Sequence, residues 1–232
     1  MIKTYSFVLL LNLCACATIG QTVKWKSQEF ELKNVTGSLV KLNGEEVLKL
    51  ERDLKALPFD VKNLAATVDE PTYAKLKNIN LENGIIEVKV LSRIQNPSPF
   101  EAAQGFIGLA FRISENDSAF ESIYLRPKVG RSENQFARNH AVQYYSYPDY
   151  KFDRLRRESN GVYETYADVD LNEWITLRIE INGQKARLFI NGQKHPSFIV
   201  EKMKGDTSNG SIALWVDIGT EGYFKDLRVI KH

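Results

Sequence analysis

The sequence predicts an all-β fold in which two antiparallel sheets stack as a jelly-roll sandwich, and three observations carry that prediction. Past the first twenty or so residues helical periodicity is scarce, whereas short segments of alternating apolar and polar residues recur between Gly, Asn, Asp and Pro. Asn43-Gly44, Asn182-Gly183 and Asn191-Gly192 are two-residue hairpin signals between such segments. About a dozen strands result, too many for one flat sheet and suited to two that share a core.

The N-terminal segment is set apart by composition. Lys3 precedes an apolar run from Ser6 to Ala17, and the small residues Thr18 and Gly20 follow. A basic start, a short apolar middle and a small-residue exit have the form of a secretory signal peptide, too short to span a bilayer. Residues 1–20 are therefore expected to be cleaved before Gln21, leaving 21–232 as a single domain that is secreted or periplasmic. Leu13-Cys14-Ala15-Cys16 also has the form of a lipoprotein box, in which an acylated Cys16 would anchor the protein to the membrane of the cell envelope. Both cysteines lie in this segment, so the mature chain is expected to have no disulfide and to depend on its core, as its size permits.

Taken in order, the first strands are Glu29 to Leu32, Ser38 to Leu42 and Glu46 to Glu51, the last two joined through Asn43-Gly44. Pro58 and Pro71 interrupt the next stretch, and Thr72 to Lys77 reads as one helical turn. Ile85 to Val90, Phe106 to Ile113 and Ala119 to Arg126 are strands, the last ended by Pro127, which has no N–H to donate. His140 to Ser146 follows, then a tyrosine-rich basic excursion from Tyr147 to Asn160, then a strand from Val162 to Val169. Trp174 to Ile181 alternates strictly, with Ile175, Leu177, Ile179 and Ile181 on one face. Ala186 to Ile190 is its return strand, and Ser211 to Val216 and Gly222 to Ile230 close the domain.

Charge narrows the function. With 31 basic and 29 acidic side chains, net +2, a dedicated nucleic-acid or membrane surface is not expected. The basic string Lys151 to Arg157, interleaved with Phe152, is broken by Asp153 and reads as a salt-bridged excursion on a sheet. No P-loop, dinucleotide fingerprint or Gly-x-Ser-x-Gly elbow is present, so no nucleotide cofactor is expected.

The closing segments NEWITLRIEINGQKARLFINGQ from Asn172, GSIALWV from Gly210 and GYFKDLRVI from Gly222 resemble the last strands of concanavalin A-like lectin/glucanase and laminin-G-like domains. The middle segments NGIIEVKV, GFIGLAFRI and FESIYLRP resemble those of bacterial 3-keto-disaccharide hydrolase domains. The resemblance implies a concanavalin A-like sandwich in contact with carbohydrate, either hydrolase-like or, alternatively, a non-catalytic lectin or laminin-G-like adhesion module. The paired carboxylates of family-16 glucanases, which retaining chemistry needs about 5 Å apart, are absent; Asp168 to Glu173 lacks the leading Glu and runs into a turn.

Candidate site residues concentrate between Glu121 and Glu164. Sugars offer an apolar C–H face and a rim of hydroxyls, which aromatic rings and planar hydrogen-bonding groups match. Tyr124, Arg126, Gln143, Tyr145, Arg156 and Trp215 are the expected ligand-binding residues. Strand alternation puts Tyr124 and Arg126 opposite Ile123, and Trp215 and Asp217 opposite Leu214, so that neighbouring strands would line one outer groove. His140, whose ordinary pKa lies near neutrality, is the candidate acid or base with Glu121 and Glu164. Transition-metal spacings are missing; Asp217 is the candidate ligand for a calcium ion of the kind that lectin and laminin-G-like sandwiches hold.

Overall fold

The computed structural model describes residues 21–232, so the expected leader, with Cys14 and Cys16, lies outside the described residues. Fifteen strands follow one another: β1 (Thr22–Trp25), β2 (Gln28–Lys33), β3 (Val35–Leu42), β4 (Glu45–Arg52), β5 (Tyr73–Leu76), β6 (Gly84–Ile94), β7 (Ile107–Ile113), β8 (Phe120–Leu125), β9 (Val142–Tyr147), β10 (Glu164–Thr165), β11 (Ile175–Asn182), β12 (Lys185–Ile190), β13 (Phe198–Val200), β14 (Ser211–Val216) and β15 (Thr220–Lys231). The first sheet runs β1-β2-β5-β14-β7-β8-β9-β10 and the second β13-β12-β11-β6-β15-β4-β3, with antiparallel pairing between neighbours. The short helices are α1 (Leu64–Thr67), α2 (Pro127–Gly130), α3 (Gln135–Arg138) and α4 (Phe152–Glu158).

The two sheets stack as the alternation requires. In β11 the four aliphatic residues are buried and the polar ones between them half-buried. Leu214, Leu109, Ile123 and Tyr144 are register partners across β14, β7, β8 and β9, and so form one row on the inner face of the first sheet. The sheets pack tightly at Gly222 of β15, where a Cβ would lie 2.4 Å from Cγ1 of Val216 in β14. The Asn43-Gly44 hairpin forms as its residues dictate, with φ of 53° and 82° between the partners Leu42 and Glu45.

Three local expectations are corrected. The segment from Thr72 to Lys77 is no helical turn but β5, held between β2 and β14 in the interior of the sheet; pairing on both sides outweighs a weak local signal. The expected strand Val162 to Val169 shrinks to β10, and the excursion before it contains α4, supported by Arg154–Glu158 and Asp153–Arg157 pairs one turn apart. β1 and β13 carry too few residues to have been seen in the pattern.

A fourth departure bears on function. β7 and β8 are buried along their whole length, on the outer face as well as the inner. The outer face is roofed by the chain between β4 and β5, by the loop between β6 and β7, and by α4. Tyr124 and Arg126 therefore stand beneath a layer of loops and not on an open groove.

Candidate functional site

Register builds the site floor. Glu164, Gln143, Tyr124, Gly108, Trp215 and Tyr73 are successive partners across β10, β9, β8, β7, β14 and β5, one row on the outer face. Gly108 is what lets the row close up. A Cβ there would lie 2.3 Å from Ile123 O and 2.5 Å from Tyr124 Cα, whereas its absence leaves the rings of Tyr124 and Trp215 with centroids 4.8 Å apart. Tyr145 packs on Trp215 at 5.7 Å, and Trp215 Nε1 donates to Glu70 O at 2.9 Å. Trp215 is fully buried, so it braces Tyr124 from behind and offers no open platform.

Arg126, Phe106 and Asp217 continue this face just beyond the strand ends, where Arg126 N donates to Ala141 O and Asp217 N to Phe106 O. Above them is a cavity of about 190 Å³ whose walls include Phe100, Phe106, Tyr124, Arg126, Phe152, Arg156 and Asp217. That volume is below the ~300 Å³ at which drug-sized sites begin and suits a single small ring. Arg126 Nη2 donates to the Tyr124 hydroxyl at 2.7 Å, and its guanidinium lies 5.6 Å from the Phe152 ring. Arg156 lies 5.2 Å from the same ring, so Phe152 is clasped by two guanidinium groups. Two cations, four aromatic rings and one carboxylate thus meet in one small space.

Asp217 is completely engaged by protein donors on one oxygen. Oδ1 accepts from Arg52 Nη1 at 2.7 Å and from Ile218 N at 2.7 Å, while Oδ2 accepts from Asp69 N at 3.0 Å. Burial raises its pKa above the ordinary carboxylate value, and the Arg52 charge opposes that rise. Arg52 belongs to β4 of the second sheet, so this pair joins the two sheets at the cavity, and its remaining bonds run to Thr67 O, Leu57 O and Pro58 O in the roofing segment. Asp69 is also buried; its Oδ2 accepts from Phe152 N at 2.9 Å. Desolvation pushes its pKa up to about 6, with the Asp217 charge adding to the rise and Phe152 N–H, Arg126 and Lys151 opposing it.

These contacts decide the calcium expectation. A cation at Asp217 would have to sit beside the Arg52 guanidinium, and among the described residues no group of three or more His, Cys, Asp or Glu side chains could hold a metal. The residues present do not fit that ion.

The acid and base candidates are divided between the faces. His140 Nε2 lies 3.1 Å from Glu164 Oε1, Arg156 Nη2 donates to Glu164 Oε2 at 2.7 Å, and His140 Nδ1 meets Phe136 O. His140 and Glu164 open to a separate recess beside Phe136 and Tyr166, joined to the cavity through Arg156. Glu121 points the other way, into the interior, where it accepts from the Tyr144 hydroxyl at 2.5 Å and Gly205 N at 2.8 Å. Burial raises its pKa, but it shares no space with the other two. Gln143 is buried next to Glu164, with Nε2 donating to Tyr144 O and Tyr163 O. Tyr145 lies under the roof and does not reach the cavity wall.

Arg52, Asp69, Phe106 and Phe152 escaped the sequence reading. Arg52 did leave a signal: it continues the Leu48, Leu50 face of β4, and a cation on an apolar face needs a buried partner. Asp69 left none, because its partner is 148 residues away.

The model of the 3-keto-alpha-glucoside-1,2-lyase-like domain matches residues 21–230. No curated protein matches the chain. Among solved structures, the carbohydrate-binding module CBM66 from Bacillus subtilis superposes with a TM-score of 0.52 at 11% identity, over 85% of this chain and 96% of that one. A GH43 protein from Bacillus licheniformis gives 0.53 at 12% identity, over 92% of this chain and 38% of that one. Likeness at such identity extends to the fold and bears out the concanavalin A-like sandwich.

Proposed function

The chain belongs to the 3-keto-alpha-glucoside-1,2-lyase-like domain family, a carbohydrate-related domain, and from that premise we propose that it binds and cleaves 3-keto-glycosides in the cavity over Tyr124. The observation that supports this reading is the wall itself: apolar ring faces beside two guanidinium groups, in a space the size of one sugar ring. Phe106, Tyr124 and Phe152 suit the C–H face of a pyranose. Arg126 and Arg156 suit its oxygens, above all a ketone oxygen that gains charge during reaction.

A ketone at C3 acidifies the hydrogen on C2. Its removal gives an enolate, whose negative oxygen the guanidinium groups stabilise. When the ketone re-forms, C1 and C2 become doubly bonded, the C1–O bond breaks, and the departing oxygen takes up a proton; nothing is oxidised or reduced overall. His140 and Glu164 serve by holding Arg156 in place through the ion pair described above.

The test is to incubate the full chain with a 3-keto-α-glucoside and its unoxidised parent, following release of the alcohol. Cleavage of the keto form alone is the expected result. Arg126→Ala is expected to lower kcat/KM by about 10²-fold, the scale of one lost transition-state donor. Tight binding without cleavage would replace the enzyme by a lectin-like module, and neither binding nor cleavage would remove the carbohydrate cavity altogether. Export belongs to the same proposal: intact mass of the protein from its native host should begin at Gln21, an acylated Cys16 would mean anchoring instead, and an uncleaved leader would refute both.

A further inference from the structure

We infer that Asp217 takes the C2 proton in this elimination and that Asp69 is the positioning residue that holds it and sets the charge it works against. The inference rests on the reading just given and assigns its missing base. Asp217 is the carboxylate on the cavity wall. Oδ1 is committed to Arg52 and to Ile218 N, whereas Oδ2 accepts a single hydrogen bond, from Asp69 N, and keeps a lone pair free. The oxygen available for a proton is therefore the one that Asp69 orients.

Asp69 is 2% exposed and holds a left-handed φ of 55°, which Asp and Asn adopt more readily than other residues with a Cβ. Its backbone N–H fixes Asp217, while its side chain fixes Phe152 N, at the start of the α4 wall. It makes no ion pair among the described residues. An amide would accept from Phe152 N equally well, so packing alone gives no reason for a second buried carboxyl. The charged and titratable groups around the pair are Arg52 from β4, Arg126 beyond β8, Lys151 ahead of α4, Arg156 of α4 across the cavity, and the phenols Tyr124 and Tyr145, whose pKa values burial pushes up. Burial and mutual repulsion give a carboxylate more basic than usual, as a base working near neutral pH requires.

In the step itself the C2–H bond breaks, the proton bonds to Asp217 Oδ2, and the electron pair enters the enolate. After the C1–O bond breaks, the proton leaves Asp217 for the departing oxygen, directly or through water, and the carboxylate is restored.

Two variants and one titration test this. Asp217→Asn should reduce kcat by about 10²–10⁴-fold while keeping calorimetric affinity for the keto-glycoside within about threefold of the starting protein. Asp69→Asn removes a like charge, so Asp217 ionises more easily and the acid limb of kcat/KM should move about one pH unit lower. An active Asp217→Asn, or an Asp69→Asn limb that superimposes on the original, overturns the assignment. Carbon-13 carboxyl shifts followed against pH in the unsubstituted full chain need neither variant to fold, and should show both groups protonating above the free-aspartate range. A chain that turns over no 3-keto-glycoside while its carboxyls titrate as a coupled pair overturns the reaction and leaves the pair. One that turns them over while the carboxyls titrate independently overturns the pair and leaves the reaction.

Discussion

At Asp69 the requirements of the site and of the fold oppose each other. A folded-state pKa raised from 3.8 to about 6 means that the native state keeps a proton the unfolded chain has lost. Between those values the unfolded state binds fewer protons, so stability falls as pH rises from about 4 to about 6 and stays low above. At 1.36 kcal/mol per unit the loss is on the order of 3 kcal/mol. Asp69→Asn cannot titrate, and thermal denaturation at pH 8 should find it more stable than the original, with the gap closing near pH 4. Arg52→Met should act in the opposite direction, leaving Asp217 buried without its cation, at about 3–5 kcal/mol in urea unfolding at pH 8 and less at pH 5. At this scale the sequence was half legible. Tyr124 and Arg126 could be placed on one face because they are two apart on a strand; Asp69 and Asp217 meet only through folding.

Among the elements, β11 was legible and β8 was not, for one reason. Alternation marks a strand with one face in the core and one toward solvent, as in β11; under a roof of loops the outward residues of β8 are buried too, and Phe120, Ser122 and Tyr124 pack there against other protein. The same burial makes Gly108 in β7 irreplaceable. Gly108→Ala would drive a methyl group into the backbone of β8, which can answer only by separating from β7. A loss of at least about 2 kcal/mol is expected, together with a red shift of Trp215 emission as its packing on Tyr124 loosens; unchanged melting and emission would show that the strands tolerate the methyl. β5 was misread because four residues carry little pattern of their own and take their conformation from the neighbours on both sides.

The sandwich as a whole was legible from its many short strands and turns, but its strand order was not. β15, the last in the chain, lies inside the second sheet between β6 and β4, and β14 lies inside the first between β5 and β7. The first sheet cannot close until β14 is made, nor the second until β15 is. A chain ending at Ile218 should therefore lack the far-ultraviolet circular dichroism of the complete protein, and such long-range pairing predicts folding in milliseconds to seconds. Arg52 and Asp217 reach across from separate leaves of the sandwich at the very spot where the cavity opens. The two leaves cannot slip past one another without pulling that clasp apart, so no partly loosened form should persist that is inert yet still folded. Heat should extinguish turnover and tertiary structure at one temperature, not in succession.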